Sequence, residues 1–472
     1  MKTATESTDL QQQIFEEFKE PSALRRSDEL SYQYLGAAFD RPPFPAIDAI
    51  RALDQFEEPL PDSRSDAALI IEQLHALGSP ATVSGLGGRY FGFGVGSALP
   101  VGLAAKRMTT VWDQVPAMEV LSPVASRLES VVEGWLVDLL ALPAETAAGF
   151  VSGSAVANLC ALAAARRHQL WKLGWDVNEK GLAGSPRLRI VAGAEAHSTA
   201  IRALSLLGFG KANIEWIPTD EQGRLRADAL PDLDDSTIVL LQAGHVNTGA
   251  FDPIRIVCEK AKSVGAWVHI DGAFGLWVRA ASDLAYLADG LELADSWAVD
   301  AHKTLNVPYD SGIVLCKHRA DLTAALGMSG SYIVEGKRRD GMYYTPEMSR
   351  RARIFELWAT LKYLGRQGVA ELVTQLHSRA LQFRDEISAT DGFEVLNEVV
   401  FNQVLVACPT DALTDLTIKC IQSSAECWSG GAVHKGRHAI RTSIMSWATT
   451  EEDIHRAARA YADSLEKAKS QV

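Results

Sequence analysis

The chain has 472 residues, of which 47% are hydrophobic and 22% charged, so it has the composition of a globular protein with about two to three domains. Its formal net charge of −13 at pH 7 argues against a nucleic-acid partner, because such binding needs a clustered basic face. No run of about 20 apolar residues could span a bilayer, and the six scattered cysteines contain no CxxC pair that would predict a disulfide framework or a zinc site. We therefore expect no membrane, nucleic-acid or metal partner.

The amino-terminal part, to about residue 86, predicts helices separated by proline-rich turns such as residues 41–45. Its first segment, MKTATESTDLQQQIFEEFKE, lacks the charged start, apolar stretch and cleavage site of a secretory signal, and it carries too many acids for a transit peptide. The sequence therefore predicts a cytoplasmic protein whose first part wraps the main body or a partner.

Apolar residues recur at helical spacing between residues 99 and 140. In VASRLESVVEGWLVDLLAL the pattern predicts one packed face, formed by Val124, Leu128, Val131, Val132 and Leu136. From about residue 150 to 317, short apolar runs alternate with helical stretches: RLRIVAG, IEWIP, TIVLLQAG, AWVHID and GIVLCK. This alternation predicts an α/β fold with a mostly parallel sheet that carries helices on its faces.

Beyond residue 346 the pattern is helical over 349–364 and 369–387, and it then changes to the strand-like segments VVFNQVLVAC and AIRTSIMS. A last helix is predicted after Thr449, whose side chain would form a capping box with Glu452. The predicted parts are an N-terminal helical segment (1–86), a large domain (87–387) and a smaller α+β C-terminal domain (388–472).

Ligands of a parallel α/β sheet bind at the carboxyl ends of its strands, so the residues that follow each strand-like run are the informative ones. The run AWVHID ends in Asp271, which is followed by Gly-Ala-Phe, and Ala273 is small enough to let a flat ring approach the backbone. An acid that closes an apolar run needs a partner, and a protonated pyridinium nitrogen is one such partner. A helix cap or a salt bridge at the strand end is the alternative for Asp271.

The next strand-like run, DSWAVDAHKTLN, places Lys303 near its end. A lysine in this position is poorly solvated, which lowers the pKa of its amine and makes it a nucleophile toward an aldehyde. That is the requirement for a Schiff base with pyridoxal phosphate. A structural salt bridge is the alternative for a lone lysine, but the order of strand, Asp, Gly-Ala, strand and Asp-Ala-His-Lys favours the cofactor.

Two further segments start helices after strand-like runs. The turn that contains Ser154 and Ala155 exposes backbone N–H groups at a helix N-terminus, where they could bind a phosphate. In AGAEAHSTA, His197 could stack on a cofactor ring or could simply be a helix-start histidine with backbone partners. The interpretation of each segment stays open when it is taken alone.

Together these residues resemble the group II pyridoxal phosphate-dependent amino-acid decarboxylases, which include the aromatic amino-acid and glutamate decarboxylases. The resemblance covers roughly residues 89–453 and includes RYFGF, SPVASRLE, SGSAVANLCALAAAR, AHSTA, NTGAFDPI, HIDGAFG and DAHKTLNVPYDSG. It implies the fold of the fold type I pyridoxal phosphate enzymes and an obligate homodimer with the active site at the interface.

The resemblance also implies a role for each matching residue. Lys303 matches the lysine that holds the cofactor as a Schiff base, and Asp271 the acid that keeps the pyridine nitrogen protonated. His197 and Ala273 match the residues on the two faces of the ring. The remaining matches to cofactor-binding positions are His302, Ser154, Ala155, Asn247 and Asp300.

The chain departs from the family pattern at several of these positions. The loop after TIVLLQAG lacks the usual hydroxyl, because Val246 stands there, and His245 is added. Ala155-Val156 replaces the usual hydroxyl residue and glutamate of the phosphate turn, and position 300 is Asp where many relatives carry Asn or Ser. These changes alter the polarity around the cofactor, on which the reaction type depends.

The family's mobile catalytic loop supplies a tyrosine that protonates the product carbon and favours an amine over an aldehyde. The corresponding stretch SGSYIVEGKRRDGMYYTPEMSRRAR offers Tyr332, Tyr343 and Tyr344, and we prefer Tyr343 or Tyr344 because they lie closest to Pro346. Packing at a dimer interface is the alternative for each tyrosine.

Two segments bear on the choice of substrate. Phe91 and Phe93 of RYFGFGVG offer apolar surface for a bulky or aromatic amino acid, and Trp112-Asp113-Gln114 could also contribute; core packing or an interface contact is the alternative. The leading hypothesis is decarboxylation of an L-amino acid to an amine and carbon dioxide. Another carbon–carbon lyase, an aldehyde synthase, an aminotransferase and a catalytically silent relative are the competing hypotheses.

Overall fold

The structure, a computed structural model, describes residues 10–328, 330–331, 333 and 336–471. Within these ranges the helices are α1 (Leu10–Lys19), α2 (Ser22–Ala37), α3 (Ile47–Arg51), α4 (Ala67–Gln73), α5 (Pro100–Thr110), α6 (Pro123–Leu139), α7 (Ser154–Lys172), α8 (Val177–Lys180), α9 (Ser198–Leu206), α10 (Ile254–Val264), α11 (Arg319–Leu326), α12 (Ile354–Ser388), α13 (Asp411–Ser423) and α14 (Glu451–Lys469). The strands are β1 (Ala147–Val151), β2 (Arg189–Gly193), β3 (Ile214–Ile217), β4 (Thr237–Gln242), β5 (Trp267–Asp271), β6 (Ser296–Asp300), β7 (Gly312–Cys316), β8 (Glu394–Val395), β9 (Gln403–Ala407), β10 (Gly430–His434) and β11 (Arg437–Ser443).

A seven-stranded sheet forms the centre of the described chain, in the order β1-β7-β6-β5-β4-β2-β3. The six strands β1 to β6 run in the same direction, and β7 lies antiparallel between β6 and β1. The central strands are buried along their whole length, as expected for a sheet with both faces covered. The predicted α/β fold with a mostly parallel sheet is confirmed, and the carboxyl ends of the parallel strands share one edge.

Helices cover both faces of this sheet and bury two apolar layers. On one face, α6, α10 and the first half of α12 pack through residues such as Leu136, Val257 and Leu357. On the other face, α7, α9 and α11 pack through residues such as Leu162 and Leu204. Because α7 lies directly across the central strands, its amino-terminal turn faces the edge where those strands end.

A buried ion cluster ties α6 to the segment before α12. Glu129 accepts from Arg339 Nε at 2.9 Å and from Arg350 Nη2 at 2.8 Å, and all three side chains are buried. Glu133 accepts from Arg339 Nη1 at 2.7 Å. The carboxylate of Glu129 is therefore neutralised by two arginines of its own chain.

A smaller antiparallel sheet, in the order β10-β11-β9-β8, lies in the C-terminal region. Its core contains Val404, Ile440 and Tyr461 together with the second half of α12. The two halves of α12 meet at Gly365, whose φ of 59° interrupts the helix. One long helix thus contributes to both cores.

The helical amino-terminal segment leaves apolar side chains uncovered. Helix α1 buries none of its residues, and Phe18 is 82% exposed. Leu10, Ile14 and Phe15 of the same helix are also exposed. Among the described residues, no helix combines the length and apolarity that crossing a membrane would need.

Two local predictions were wrong. Of the predicted face of α6, Val132 and Leu136 are buried as expected, but Val124 is 40% exposed. The buried face passes instead through Ala125 and the paired acid Glu129, which hides it from an apolar pattern. The last helix is capped by Thr450 with Asp453 rather than by the preceding threonine, since both pairs satisfy the same spacing.

All six cysteines are free and buried: Cys160, Cys258, Cys316, Cys408, Cys420 and Cys427. Burial raises the pKa of the Cys258 thiol to about 12 and that of Cys427 to about 12. These thiols pack as small apolar side chains.

Candidate functional site

Three polar residues end adjacent strands at one edge of the large sheet. Gln242 closes β4, Asp271 closes β5 and Asp300 closes β6, and all three side chains are buried. Because β4, β5 and β6 are parallel, these side chains converge at one place. The structure thus brings together the strand ends that the sequence singled out.

Asp271 is a buried acid that is held by neutral donors. Its Oδ2 accepts from Asn158 Nδ2 at 3.0 Å, and its Oδ1 accepts from the backbone N–H of Ala273 at 3.2 Å. Burial raises its pKa above the ordinary value, while His197 and the amide of Asn158 oppose that rise. Among the described residues, no basic side chain forms an ion pair with Asp271, so its carboxylate keeps room for an external cation.

Lys303 follows β6 and points its amine at Asp300. The Nζ atom lies 3.1 Å from Asp300 Oδ2, and the lysine side chain is 22% exposed. Gly96 allows this arrangement, because a Cβ there would lie 2.2 Å from the carbonyl oxygen of His302. The segment RYFGFGVG therefore closes tightly over the backbone that carries the lysine.

The start of α7 is occupied by a carboxylate of the chain itself. Ser154 donates its backbone N–H to Asp300 Oδ1 at 2.6 Å and its hydroxyl to Asp300 Oδ2 at 2.8 Å. A helix N-terminus favours an anion, and here Asp300 supplies that charge. The predicted phosphate role of Ser154 and Ala155 therefore stays a prediction, with Ala155 exposed beside this pair.

His302 is oriented by a backbone amide. Its Nδ1 accepts from the N–H of Ser311 at 3.1 Å, so the other ring nitrogen carries the hydrogen and faces Asp300 at 3.6 Å. The ring of Tyr309 stacks on it at 4.2 Å. Burial lowers the pKa of His302, which favours the neutral ring.

His197 caps α9 at the same edge of the sheet. Its Nδ1 lies 2.7 Å from Thr199 Oγ1, and its backbone N–H donates to Gln242 Oε1 at 3.0 Å. Burial lowers the pKa of the imidazole, while the charge of Asp271 opposes this. Nδ1 thus has the contacts of a helix-start histidine, whereas Nε2 has no hydrogen-bond partner among the described residues, and the stacking role stays a prediction.

The loop after β4 brings His245 and Asn247 to the same edge. His245 Nδ1 lies 3.1 Å from Thr248 Oγ1, and burial lowers its pKa to about 4 despite the nearby charge of Glu195. Asn247 lies between His245 and Thr248 in the sequence and is half-buried.

Arg441, on β11, is a site residue that the sequence analysis missed. Its Nη1 donates to the carbonyl of Val246 at 3.5 Å, and burial lowers the pKa of its guanidinium. Its charge also acts on His197. Among the described residues, no carboxylate pairs with Arg441. An arginine inside the run AIRTSIMS was the signal that could have identified it.

The loop tyrosines lie differently from one another. Tyr332 lies outside the described residues. Tyr343 packs beside Met342 and Met118. Tyr344 accepts from Arg319 Nη1 at 3.0 Å and lies 3.7 Å beneath the guanidinium of Arg339. These contacts lie within the chain, so the role of Tyr344 stays a prediction.

The phenylalanines of RYFGFGVG also differ. Phe91 is 1% exposed and packs against Phe383 in the core of the small sheet, which favours the packing alternative for it. Phe93 is 68% exposed and stacks on Trp428 at 5.5 Å. Trp112 packs edge-on against Phe355 at 5.4 Å.

His168, His318 and Asp321 form the one group of possible metal ligands among the described residues. His168 Nδ1 lies 2.7 Å from Asp321 Oδ2, and Arg167 pairs with the same carboxylate. That arginine already neutralises the acid, so the group is accounted for as an ion-pair cluster.

Comparison with known proteins gives a consistent result. The family model described as the pyridoxal-dependent decarboxylase conserved domain matches residues 100–407. An acidic amino acid decarboxylase of Mus musculus is 31% identical over 273 residues, which are 54% of this chain and 48% of the relative. A tyrosine decarboxylase of Papaver somniferum is 27% identical over 411 residues, 77% of this chain and 78% of the relative. The chain spans about half the length of the mouse, human and cattle relatives that it matches.

Solved structures show the same fold. Oryza sativa TDC with PLP and tryptamine superposes with a TM-score of 0.87 at 22% identity, covering 95% of this chain and 97% of that one. Catharanthus roseus tryptophan decarboxylase in complex with L-tryptophan gives a TM-score of 0.84 at 20% identity, covering 95% and 98%. At these identities the likeness shows the fold.

Proposed function

Because this chain belongs to the family of pyridoxal-dependent decarboxylases, we propose that it removes carbon dioxide from an L-amino acid with pyridoxal phosphate held on Lys303. The observation that carries the proposal is the pair of strand ends β5 and β6. They present a buried acid, which forms no ion pair with a basic side chain among the described residues, next to a lysine amine. Lys303 pairs with Asp300, which is the salt-bridge alternative for this lysine, whereas Asp271 has no such ion pair in the part of the chain that the structure describes and stays available for a cation.

The residues at this edge fit pyridoxal phosphate. Asp271 is a buried carboxylate that needs a cation, and a protonated pyridine nitrogen supplies one. Lys303 supplies the amine, and His197 supplies an imidazole whose Nε2 has no hydrogen-bond partner among the described residues.

When bound, the cofactor supplies a conjugated ring that accepts the electron pair left behind by departing carbon dioxide. Asp271 would hold a proton on the ring nitrogen, because the buried carboxylate is stabilised by that charge. Lys303 would bind the cofactor and give way to the substrate amine, and Asp300 lies close enough to take up a proton from Nζ. The half-buried ring of His197, whose pKa burial lowers, would limit access of water to the substrate carboxylate.

Arg441 supports a substrate that carries a carboxylate. A half-buried guanidinium without an acidic partner has a free energy cost that a bound anion would relieve. The exposed ring of Phe93 supports the finer proposal of a bulky or aromatic side chain. Arg441→Met is expected to raise KM by about tenfold to a hundredfold, the scale of one charged hydrogen bond, with a smaller change in kcat. An unchanged KM for every substrate would exclude this role.

The first experiment is an absorbance spectrum of the purified protein before and after borohydride, for the wild type and Lys303→Ala. We expect a band in the region of roughly 400 nm that borohydride bleaches and that the variant lacks. Lys106→Ala is the matched control, because this lysine is also half-buried but donates to the carbonyl of Tyr309. A protein that stays colourless with added pyridoxal phosphate would overturn the proposal.

Reaction products separate decarboxylation from its alternatives. A relative from Rhodiola rosea, 26% identical over 356 residues, is a 4-hydroxyphenylacetaldehyde synthase, so the amine, aldehyde, ammonia and carbon dioxide should be measured together. A decarboxylase releases amine and carbon dioxide in equal amounts. Aldehyde with ammonia would instead assign the synthase reaction, and a keto acid would assign an aminotransferase.

The proposed assembly is a homodimer. Helix α1 leaves Ile14, Phe15 and Phe18 exposed, and such a contiguous apolar face on a protein of this size is typical of an interface. A second copy of the chain would cover it. Light scattering on the purified protein is expected to give twice the chain mass of 51.2 kDa. A monomer mass at the working concentration would contradict the dimer.

A further inference from the structure

Behind Asp271 lies an unbroken row of buried side-chain hydrogen bonds. Trp267 Nε1 lies 3.0 Å from Ser296 Oγ, which lies 2.9 Å from His269 Nδ1. His269 Nε2 lies 2.8 Å from Asn158 Oδ1, and Asn158 Nδ2 donates to Asp271 at 3.0 Å. None of the four side chains behind the acid is more than 1% exposed.

The two ends of this row fix the direction of every bond in it. An indole N–H can only donate, and an ionised carboxylate can only accept. Ser296 therefore accepts from Trp267 and donates to His269, whose hydrogen must lie on Nε2. That hydrogen points at the oxygen of Asn158, which turns the amide N–H toward Asp271.

The row holds together only while His269 is neutral with its hydrogen on Nε2. Burial lowers the pKa of His269 to about 3, so the ring stays neutral at every pH of interest. If Asn158 were turned around, its amide would face the Nε2 hydrogen and His269 would have to change tautomer. Both Trp267 and His269 would then donate to Ser296, and its own hydrogen would find no acceptor among these four side chains.

We propose that Asn158, His269, Ser296 and Trp267 are positioning residues that keep Asp271 an ionised hydrogen-bond acceptor for the ring nitrogen of pyridoxal phosphate. The inference rests on the proposed function, because it assigns these residues to the same cofactor. The charged and titratable groups that face Asp271 are His197 from the start of α9, and Lys303 and Asp300 from the end of β6. Of the four residues in the row, Asn158 lies on α7, Trp267 and His269 lie on β5, and Ser296 lies on β6.

The consequence is a pH effect on cofactor binding. The amide of Asn158 holds the pKa of Asp271 down against burial, so removal of this donor should raise it further. The acid would then lose its charge at a higher pH, and affinity for pyridoxal phosphate would fall earlier as the solution is acidified. A loss of folding stability alone would not shift the acidic limb of this profile, which is the pH range over which affinity for pyridoxal phosphate falls.

The test is a titration of the full-length apoprotein with pyridoxal phosphate at a series of pH values. Asn158→Leu is compared with Gln169→Leu, which removes another fully buried amide of α7 that donates to the carbonyls of Thr237 and Gly265. We expect Asn158→Leu to bind about tenfold more weakly than this control, with its acidic limb displaced to higher pH. Melting temperatures report the structural cost of both changes.

A second variant covers the case in which Asn158→Leu fails to fold. Ser296→Ala removes only the hydroxyl that sets the tautomer of His269, and it should move the acidic limb in the same direction by a smaller amount. The inference would be overturned if Asn158→Leu and Ser296→Ala bound pyridoxal phosphate with the same affinity and the same acidic limb as Gln169→Leu. Absence of any borohydride-sensitive band in the wild type would instead overturn the proposed function itself, so the two failures are distinguishable.

Discussion

Glu129 and Asp271 are both buried acids, but they are neutralised in different ways. Glu129 receives two arginines from its own chain, at 2.9 and 2.8 Å. Asp271 receives an amide N–H and a backbone N–H, and burial raises its pKa above the ordinary value. The first acid is complete within the chain, whereas the second still needs a cation.

The difference separates a structural acid from a binding acid. A buried charge is stable only when it is paired and hydrogen-bonded. Where the described chain supplies the counter-charge, as at Glu129, the pair fixes one segment to another. Where it supplies hydrogen bonds without the counter-charge, as at Asp271, the site is suited to a cationic ligand.

The largest effect is expected from Asp271→Asn, which tests the role of the binding acid in this comparison. The amide keeps the shape but cannot stabilise a proton on the cofactor ring, so turnover should fall by roughly a thousandfold, the scale of one buried electrostatic partner. Steady-state kinetics with saturating cofactor measure this effect. The melting temperature should change little, and unchanged turnover would remove Asp271 from the proposed mechanism.

Glu129→Gln should have the opposite signature. It leaves Arg339 and Arg350 buried beside a neutral amide, and breaking a buried pair from one side costs about 3–5 kcal/mol. Denaturant unfolding should show this loss, while affinity of the remaining folded protein for pyridoxal phosphate stays at the wild-type value. A variant that keeps its stability but loses the cofactor would reverse the comparison.

Asp252 gives an intermediate case. It accepts backbone N–H groups of Leu225 and Gln242, both at 2.7 Å, and burial raises its pKa from 3.8 to about 6. A raised folded pKa contributes stability that is present below pH 3.8 and is lost as the pH rises through about 6. This span corresponds to about 3 kcal/mol.

Asp252→Asn should therefore flatten the stability profile between these two pH values relative to the wild type. Unfolding midpoints measured across the acidic range, for both proteins, give the difference directly. If the two profiles run parallel, the carboxyl of Asp252 titrates alike in the folded and unfolded chains.

The sequence predicted the central sheet and several of the residues at its carboxyl edge. Strands such as β4 and β5 are short apolar runs between helical stretches, and that pattern alone predicts a parallel sheet with ligands at its carboxyl ends. Asp271, Lys303 and His197 follow from this rule together with the family resemblance. Their individual roles in binding the cofactor stay predictions.

What the sequence did not predict depends on distant partners. Ser154 binds Asp300 across 146 positions of chain, and Asn158 meets Asp271 across 113, so no local pattern reports either contact. Arg441 lies in a strand of the C-terminal region and reaches the site only through the packing of that region. Val124 was wrongly placed on the buried face of α6, because the acid Glu129 occupies part of that face and interrupts the apolar period.

The cysteines carry a practical consequence. Since all six thiols are buried, a single cysteine introduced at an exposed position would be the fastest to react with a maleimide reagent. At Ser331 or Phe18, for example, such a label would report on the loop that precedes Tyr343 or on the apolar face of α1. The native protein thus offers a silent background for site-directed fluorescence.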